Sequence, residues 1–208
     1  MNTNKYDLYV FDVDGTLYFQ NKLRIIMATR LLKYYVCHPH MYKDLFIIKD
    51  FRALRDKAEN TENLYEITAD KNHVTKERVE SVIKKWIYDN PLDAVKASAD
   101  TALIDKISEL QTQGKKVAIW SDYAAADKLE TLGIKCEYVY TAEEERVGEL
   151  KPSPKGLNLI MSDLGISPDK TLMIGDRDVK DGEAARRAGV DYIILSKSKS
   201  KRLNQYAF

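Results

Sequence analysis

The stretch YDLYVFDVDGTL, residues 6–17, decides the fold. Leu8, Tyr9, Val10 and Phe11 make an apolar run too short for a helix and rich in strand-favouring residues. Asp12 and Asp14 follow, two positions apart, so in extended backbone their carboxylates share one side at the C-terminal end of a strand. Gly15 and Thr16 then turn the chain. In open parallel sheets, ligands bind beyond the carboxyl ends of the strands. Two carboxylates this close repel unless compensated, and a hard divalent cation such as magnesium is the simplest compensation. Taken alone, the pair is equally an acidic turn after an edge strand.

Outward from this stretch, the pattern is helical over residues 20–90. Ile25, Ala28, Leu31, Leu32 and Tyr35 recur at helical spacing, with Pro39 as a stop. A second helix is expected over 43–57 and a short one over 62–69. Thr75 is placed as an N-cap before a face of Val79, Val82, Ile83, Trp86 and Ile87, and Asn90-Pro91 ends that helix. From residue 100, helices over 100–114, 124–132, 153–164 and 179–188 alternate with short apolar strands at 117–120, 138–140, 171–174 and 192–195. The tail KSKSKRLNQYAF is expected to be partly mobile surface. Strand–helix alternation of this kind predicts an α/β fold, a doubly wound parallel sheet. The all-helical insert grows from its first loop and is placed to act as a lid. Expected boundaries are 1–19 and 91–208 for the core and 20–90 for the cap.

The chain has 208 residues, 44% of them hydrophobic and 31% charged, as folded proteins do. The net charge of +1 gives no argument for a nucleic-acid polymer. Cys37 and Cys136 are far apart and lack ligand spacing, so both are read as reduced thiols. The opening MNTNKYDLYVFD does not read as a signal peptide, no stretch approaches a membrane span, and a cytoplasmic protein is expected.

The later strands each end in polar residues. Ser121 follows the second strand and is placed at a helix start, where N–H groups face an anion; alone, it is also an ordinary N-cap. Lys151 precedes a helix, where the helix dipole offers a cation nothing, so an anionic partner is the better explanation. Asp176, Asp178 and Asp181 follow the fourth strand. Together the set suits phosphoryl transfer: a metal and a lysine neutralise phosphoryl oxygens, donors hold them, and a carboxylate attacks.

FDVDGT at 11–16, IWSD at 119–122, GELKPSP at 148–154 and IGDRDVKDGEAARRAG at 174–189 give the chain a family resemblance. It resembles the haloacid dehalogenase-like (HAD) hydrolases, in their phosphatase branch. The resemblance implies a Rossmann-like core with a small helical cap after the first motif; the 121–151 interval leaves no room for a second cap. It implies Asp12 as nucleophile, Asp14 as general acid and then base, Ser121 as phosphoryl ligand and Lys151 as partner of Asp12 and the phosphoryl group. It places magnesium on Asp12, Asp176 and the carbonyl of Asp14, with Asp181 supporting the metal's waters or orienting Lys151. Asp178 is expected to face solvent.

The implied activity is hydrolysis of a small phosphorylated metabolite through an aspartyl-phosphate. A sugar-phosphate mutase and a non-catalytic binding module stay open as alternatives. Substrate choice belongs to the cap, which carries no readable signature. Tyr18 and Phe19 form the hinge into it and are the candidates for touching substrate. His38, His40 and His73 all lie in the cap and are read as surface residues beside turns. The sequence says nothing about oligomeric state.

Overall fold

The computed structural model describes residues 5–208. The first four residues of the stretch read as carrying no signal peptide lie outside the described residues. The strands are β1 (Leu8–Phe11), β2 (Lys116–Ser121), β3 (Tyr138–Thr141), β4 (Thr171–Gly175) and β5 (Asp191–Ile194). All pair in parallel, in the order β3-β2-β1-β4-β5. β1 is central: Phe11 is in register with Ile119 on one side and Ile174 on the other. The chain crosses from one half of the sheet to the other after β3, so the carboxyl ends of β1, β2 and β4 meet at the switch point, where such sheets bind ligands.

Strand alternation builds two cores. Tyr9 and Phe11 pack with Ile119, Ile174, Leu103 and Ile107 on one face. Leu8 and Val10 pack with Trp120, Met173, Leu157 and Ile160 on the other. β1 is buried at every position because helices cover both faces, the expected condition for parallel sheets.

After β1 come α1 (Gln20–Cys37), α2 (Asp44–Lys57), α3 (Leu64–Asn72) and α4 (Lys76–Ile83), before α5 (Leu92–Ala97) leads back towards the sheet. This inserted cap is all-helical and has its own core, in which Phe51, Ile47, Val79, Ile83 and Trp86 are buried. Thr75 caps α4, its hydroxyl accepting from the Arg78 N–H. The face predicted for α4 is the buried one, but the face predicted for α1 is buried only in part. Of that face Tyr35 is buried but Ile25 and Leu32 are 70% and 68% exposed, while Met27, outside it, is buried. Apolar residues lie all round α1, so spacing alone could not select the inward side. Asn90-Pro91 ends that helical run as expected: α4 continues into a π-helical turn at Lys84–Asp89 that closes on Asn90, and α5 starts anew at Leu92 after Pro91. Proline is tolerated there because a helix's first N–H groups have no intrahelical acceptor to lose.

The remaining helices are α6 (Thr101–Thr112), α7 (Ala126–Leu132), α8 (Lys155–Leu164), α9 (Glu183–Ala188) and α10 (Lys199–Leu203). Three expectations are corrected here. The helix expected over 179–188 is divided into a π-helical turn, Asp178–Gly182, and α9. Ser121 does not stand at a helix start, since α7 begins at Ala126, whereas Lys151 precedes α8, which begins at Lys155, as expected. The tail is not loose surface: it forms α10, and Arg202 and Phe208 are each 1% exposed. Phe208 fills a place beside Tyr9 and Phe11 that burial of apolar surface favours. Asp178 is exposed and pairs with Arg186.

Truncating the cap's central side chain gives a test of its independent core. Phe51→Ala removes a fully buried ring and is expected to lower stability by about 3–5 kcal/mol, read as a shift in the urea midpoint.

Candidate active site

Asp12 leaves β1 with both oxygens engaged. Oδ1 accepts from Lys151 Nζ at 2.7 Å and Oδ2 from the Thr16 hydroxyl at 2.9 Å. The loop can turn here because Gly15 has φ +97°, and a Cβ at that position would lie 2.3 Å from an Asp176 oxygen. Glycine therefore answers two demands, a left-handed backbone and the close approach of a carboxylate.

Lys151 is the cation at the centre, with its side chain 1% exposed. Besides Asp12, its ammonium donates to Asp181 Oδ1 at 2.8 Å and to the Trp120 carbonyl at 2.9 Å. Its own peptide is held as well: the N–H donates to Asp122 Oδ1 and the carbonyl accepts from Lys180 Nζ. Burial alone would push the ammonium down, but Asp12 and Asp181 outweigh it and hold Lys151 above its ordinary value.

Asp181 comes from the π-helical turn. Its Oδ2 accepts from the N–H groups of Asp176 and Arg177 while Oδ1 faces Lys151. The turn folds this carboxylate back against Gly175, where an added Cβ would sit 2.3 Å from its carbon. Such wide turns within helices recur at functional positions.

Asp12, Asp176 and Asp181 each present a carboxylate oxygen within 4.8 Å of the others, all three residues buried. Asp176 Oδ1 is buried without a hydrogen-bond partner. Burial first, and then the charge of Asp181, pushes the Asp176 carboxyl up to about 6. Burial likewise raises Asp12, against the pull of Lys151 and with Asp181 and Asp176 adding to the rise. An orphaned oxygen, excess negative charge and an all-oxygen donor set fit a hard divalent cation such as magnesium.

Asp14 sits apart from this knot. Both its oxygens accept from Lys128 Nζ, at 2.6 and 2.9 Å, and Oδ1 also accepts from the Tyr18 hydroxyl. Burial would raise Asp14, but Lys128 outweighs it and holds the carboxyl below the usual range. Neither Lys128 nor the Tyr18 hydroxyl was legible in the sequence as a partner of Asp14. Lys128 lies on α7 among residues that read as an ordinary amphipathic helix, and nothing in its local sequence marks the burial to 5% exposure that the structure gives it.

Asp12, Asp14, Tyr18, Lys151, Asp176 and Asp181 all line one cleft of ≈ 760 Å³ between sheet and cap. The cap contributes Arg24, Met27 and Arg52, among others. Two predicted residues are not on that lining. Ser121 is fully buried at the end of β2, and its hydroxyl accepts from the Tyr123 N–H at 3.1 Å. Phe19 lies instead beneath the Arg202 guanidinium, 4.9 Å from its ring centre. The cap touches the core around the cleft: Arg55 donates to the Asp122 carbonyl and to Glu143, and Arg177 pairs with Asp56. The cap histidines form no ligand cluster among the described residues, and His38 stacks on Tyr34.

The family model for haloacid dehalogenase-like hydrolases matches residues 6–189. A phosphoglycolate phosphatase from Aquifex aeolicus (strain VF5) is 26% identical over 185 residues, covering 86% of this chain and 80% of its own. Among solved structures, YfnB from Bacillus subtilis, described as a HAD-hydrolase bound to magnesium with interdomain movement, aligns with a TM-score of 0.67. It is 16% identical, with 92% of this chain and 89% of that chain covered. The 2-haloacid dehalogenase from Pseudomonas syringae pv. tomato DC3000 aligns at 0.65 with 14% identity, over 91% of this chain and 86% of its own. These structural likenesses concern the fold.

The buried knot predicts a stability effect separable from activity. Lys151→Met leaves Asp12 and Asp181 buried without their cation and should cost about 3–5 kcal/mol in metal-free buffer at pH 7. Without Lys151 the Asp12 carboxyl loses the charge that opposes its rise and stands further above its unfolded value, so the folded variant binds more protons than the unfolded chain. Its deficit should therefore shrink as pH falls through the raised carboxyl range, measured by urea unfolding at several pH values.

Proposed function

The chain belongs to the haloacid dehalogenase-like hydrolase family, and from that premise we propose that it is a magnesium-dependent phosphatase acting on a small phosphate monoester. One observation carries the reading: Asp12 and Lys151 meet at 2.7 Å on the lining of a cleft that also presents Asp14 and Asp176. A carboxylate nucleophile, a separate carboxylate for proton transfer and a fixed cation are what a two-step phosphoryl transfer requires. The activity named for the Aquifex relative supports the same chemistry.

In this proposal an Asp12 oxygen attacks phosphorus, and the bond to the ester oxygen breaks. Asp14 gives that oxygen its proton. Asp14 then takes a proton from water as the water attacks phosphorus, and the bond to Asp12 breaks, releasing inorganic phosphate and free Asp12. Lys151 holds Asp12 in place and faces the phosphoryl charge. Asp12, Asp176 and the carbonyl of Asp14 would hold magnesium, which when bound supplies further positive charge to the phosphoryl oxygens. The Lys128 ion pair suits the base half of the cycle, since it keeps Asp14 charged. The acid half requires the proton to be favoured by the arriving phosphoryl group, a like charge beside Asp14. Arg24, Arg52 and Lys197 are exposed cations on the cleft lining, and they suit an anionic metabolite. The cleft's size and its roof of helices favour small esters over polymers.

Three outcomes test this reading. Turnover of phosphate esters should require magnesium, stop in excess EDTA, and vanish in Asp12→Asn; a folded Asp12→Asn protein with wild-type kcat would rule out the covalent route. Asp14→Asn should lose about 10²–10⁴-fold on alkyl phosphates, whose leaving oxygen needs a proton, and far less on p-nitrophenyl phosphate. Equal losses on both substrates, with chemistry limiting, would remove the acid role. The cap is proposed to move, as interdomain movement is described for YfnB. Spin labels on the exposed Cys37 and on Ser162→Cys should approach or part when magnesium and beryllium fluoride are added, and an unchanged distance would remove the moving lid.

A further inference from the structure

The last residues of the chain grip the loop that carries Asp12 and Asp14. Arg202, on α10, has a side chain 2% exposed, and all three of its nitrogens are engaged. Nη2 donates to the Gly15 carbonyl at 2.7 Å, and Nη1 to the Thr16 carbonyl at 2.9 Å and to Asp100 Oδ2 at 3.0 Å. Nε donates to the Ser196 carbonyl at 2.9 Å. Asp100 is itself tied in: its N–H donates to the Leu17 carbonyl, and its carboxylate caps α6 and accepts from the Tyr206 hydroxyl. One guanidinium thus bonds both segments that join sheet to cap, the outgoing one at 15–16 and the returning one at 100. The two run side by side, with the Phe19 N–H donating to the Ser98 carbonyl and Tyr18 paired with Ala99.

We infer that Arg202 is a positioning residue for the Asp12–Thr16 loop. Gly15 is its least constrained point, and backbone left to glycine's freedom would let Asp14 and the Thr16 hydroxyl swing. Arg202 fixes the Gly15–Thr16 and Thr16–Leu17 peptide groups by their carbonyls. Through them it holds the Thr16 hydroxyl on Asp12 and the Tyr18 hydroxyl on Asp14. A lysine cannot replace it, because a single ammonium does not span the planar fork that reaches two carbonyls and a carboxylate together. The contact also explains why a basic, polar tail is ordered against the core.

The catalytic meaning of this grip rests on the phosphatase reading; the grip itself does not. Hydrogen exchange and turnover are therefore measured on the same full-length proteins: wild type, Arg202→Met and Arg202→Lys. Amides of residues 13–19 should exchange at least ~10-fold faster in both variants, while those of the cap core around Phe51 keep their wild-type rates. With p-nitrophenyl phosphate and magnesium, kcat should fall about 100-fold with KM changed by less than about threefold, the pattern of a displaced loop rather than of lost folded protein. Added guanidinium should restore part of the kcat of Arg202→Met and none of that of a wild-type control. Loop exchange at the wild-type rate, or a kcat within about twofold of wild type in folded protein, would overturn the inference. If Arg202→Met does not fold, Arg202→Lys decides by the same two readings, since it keeps a cation beside Asp100. If wild type turns over no phosphate ester, the phosphatase reading fails and loop exchange alone judges the grip.

Discussion

A single buried ammonium organises this protein. Lys151 is taken out of water, a cost that only close, well-placed acceptors offset. Those acceptors come from three separate strand ends: Asp12 after β1, the Trp120 carbonyl in β2 and Asp181 after β4. Satisfying the ammonium therefore fixes how the carboxyl edge of the sheet closes. It also explains two glycines. Gly15 lets Asp176 approach, and Gly175 lets Asp181 fold back under the ammonium. Asp122 and Lys180 hold the peptide of Lys151 from either side, so the cation's position is set through both side chain and backbone.

The same constraint divides the carboxylates by environment. Asp12, Asp176 and Asp181 crowd together, and even with Lys151 present Asp176 Oδ1 lacks a partner. This corner is short of positive charge, which is the condition a divalent cation relieves. Asp14, two residues from Asp12, has the opposite surroundings: Lys128 and Tyr18 meet its charge fully. Neighbours in sequence thus have carboxyls pushed in opposite directions, Asp12 up and Asp14 down. These directions are the reverse of what a charged nucleophile at Asp12 and a proton donor at Asp14 require, so the proposed chemistry needs a cation beside Asp12 and an arriving phosphoryl charge beside Asp14 to move both back.

The cap contributes differently. Its own apolar core makes it a packed unit, while its contacts with the sheet mix polar pairs, Arg55 to Asp122 and Glu143 and Arg177 to Asp56, with apolar ones, Leu23 against the sheet's core and Tyr123 against the cap's. Polar contacts exchange with water at little net cost, whereas apolar cores do not.

Residues 6–17 and the alternation after residue 100 determined the parallel sheet, because strand patterning is local and buried parallel strands are apolar throughout. The helical insert was legible for the same reason, as was the face of α4. The residues at the strand ends could be picked out because the fold brings those ends together whatever lies between them. Tertiary structure alone decided which side of α1 is buried, since apolar residues surround that helix. It alone turned the Ser121 hydroxyl to the Tyr123 N–H, set Lys128 on Asp14 and sent Arg202 from the tail to the Gly15 and Thr16 carbonyls. Lys128 and Arg202 act across long separations, on groups that leave no periodic trace in sequence. A lysine or arginine reads as solvated surface until packing removes the water around it, and only the folded chain shows which cations have lost that water and what has replaced it.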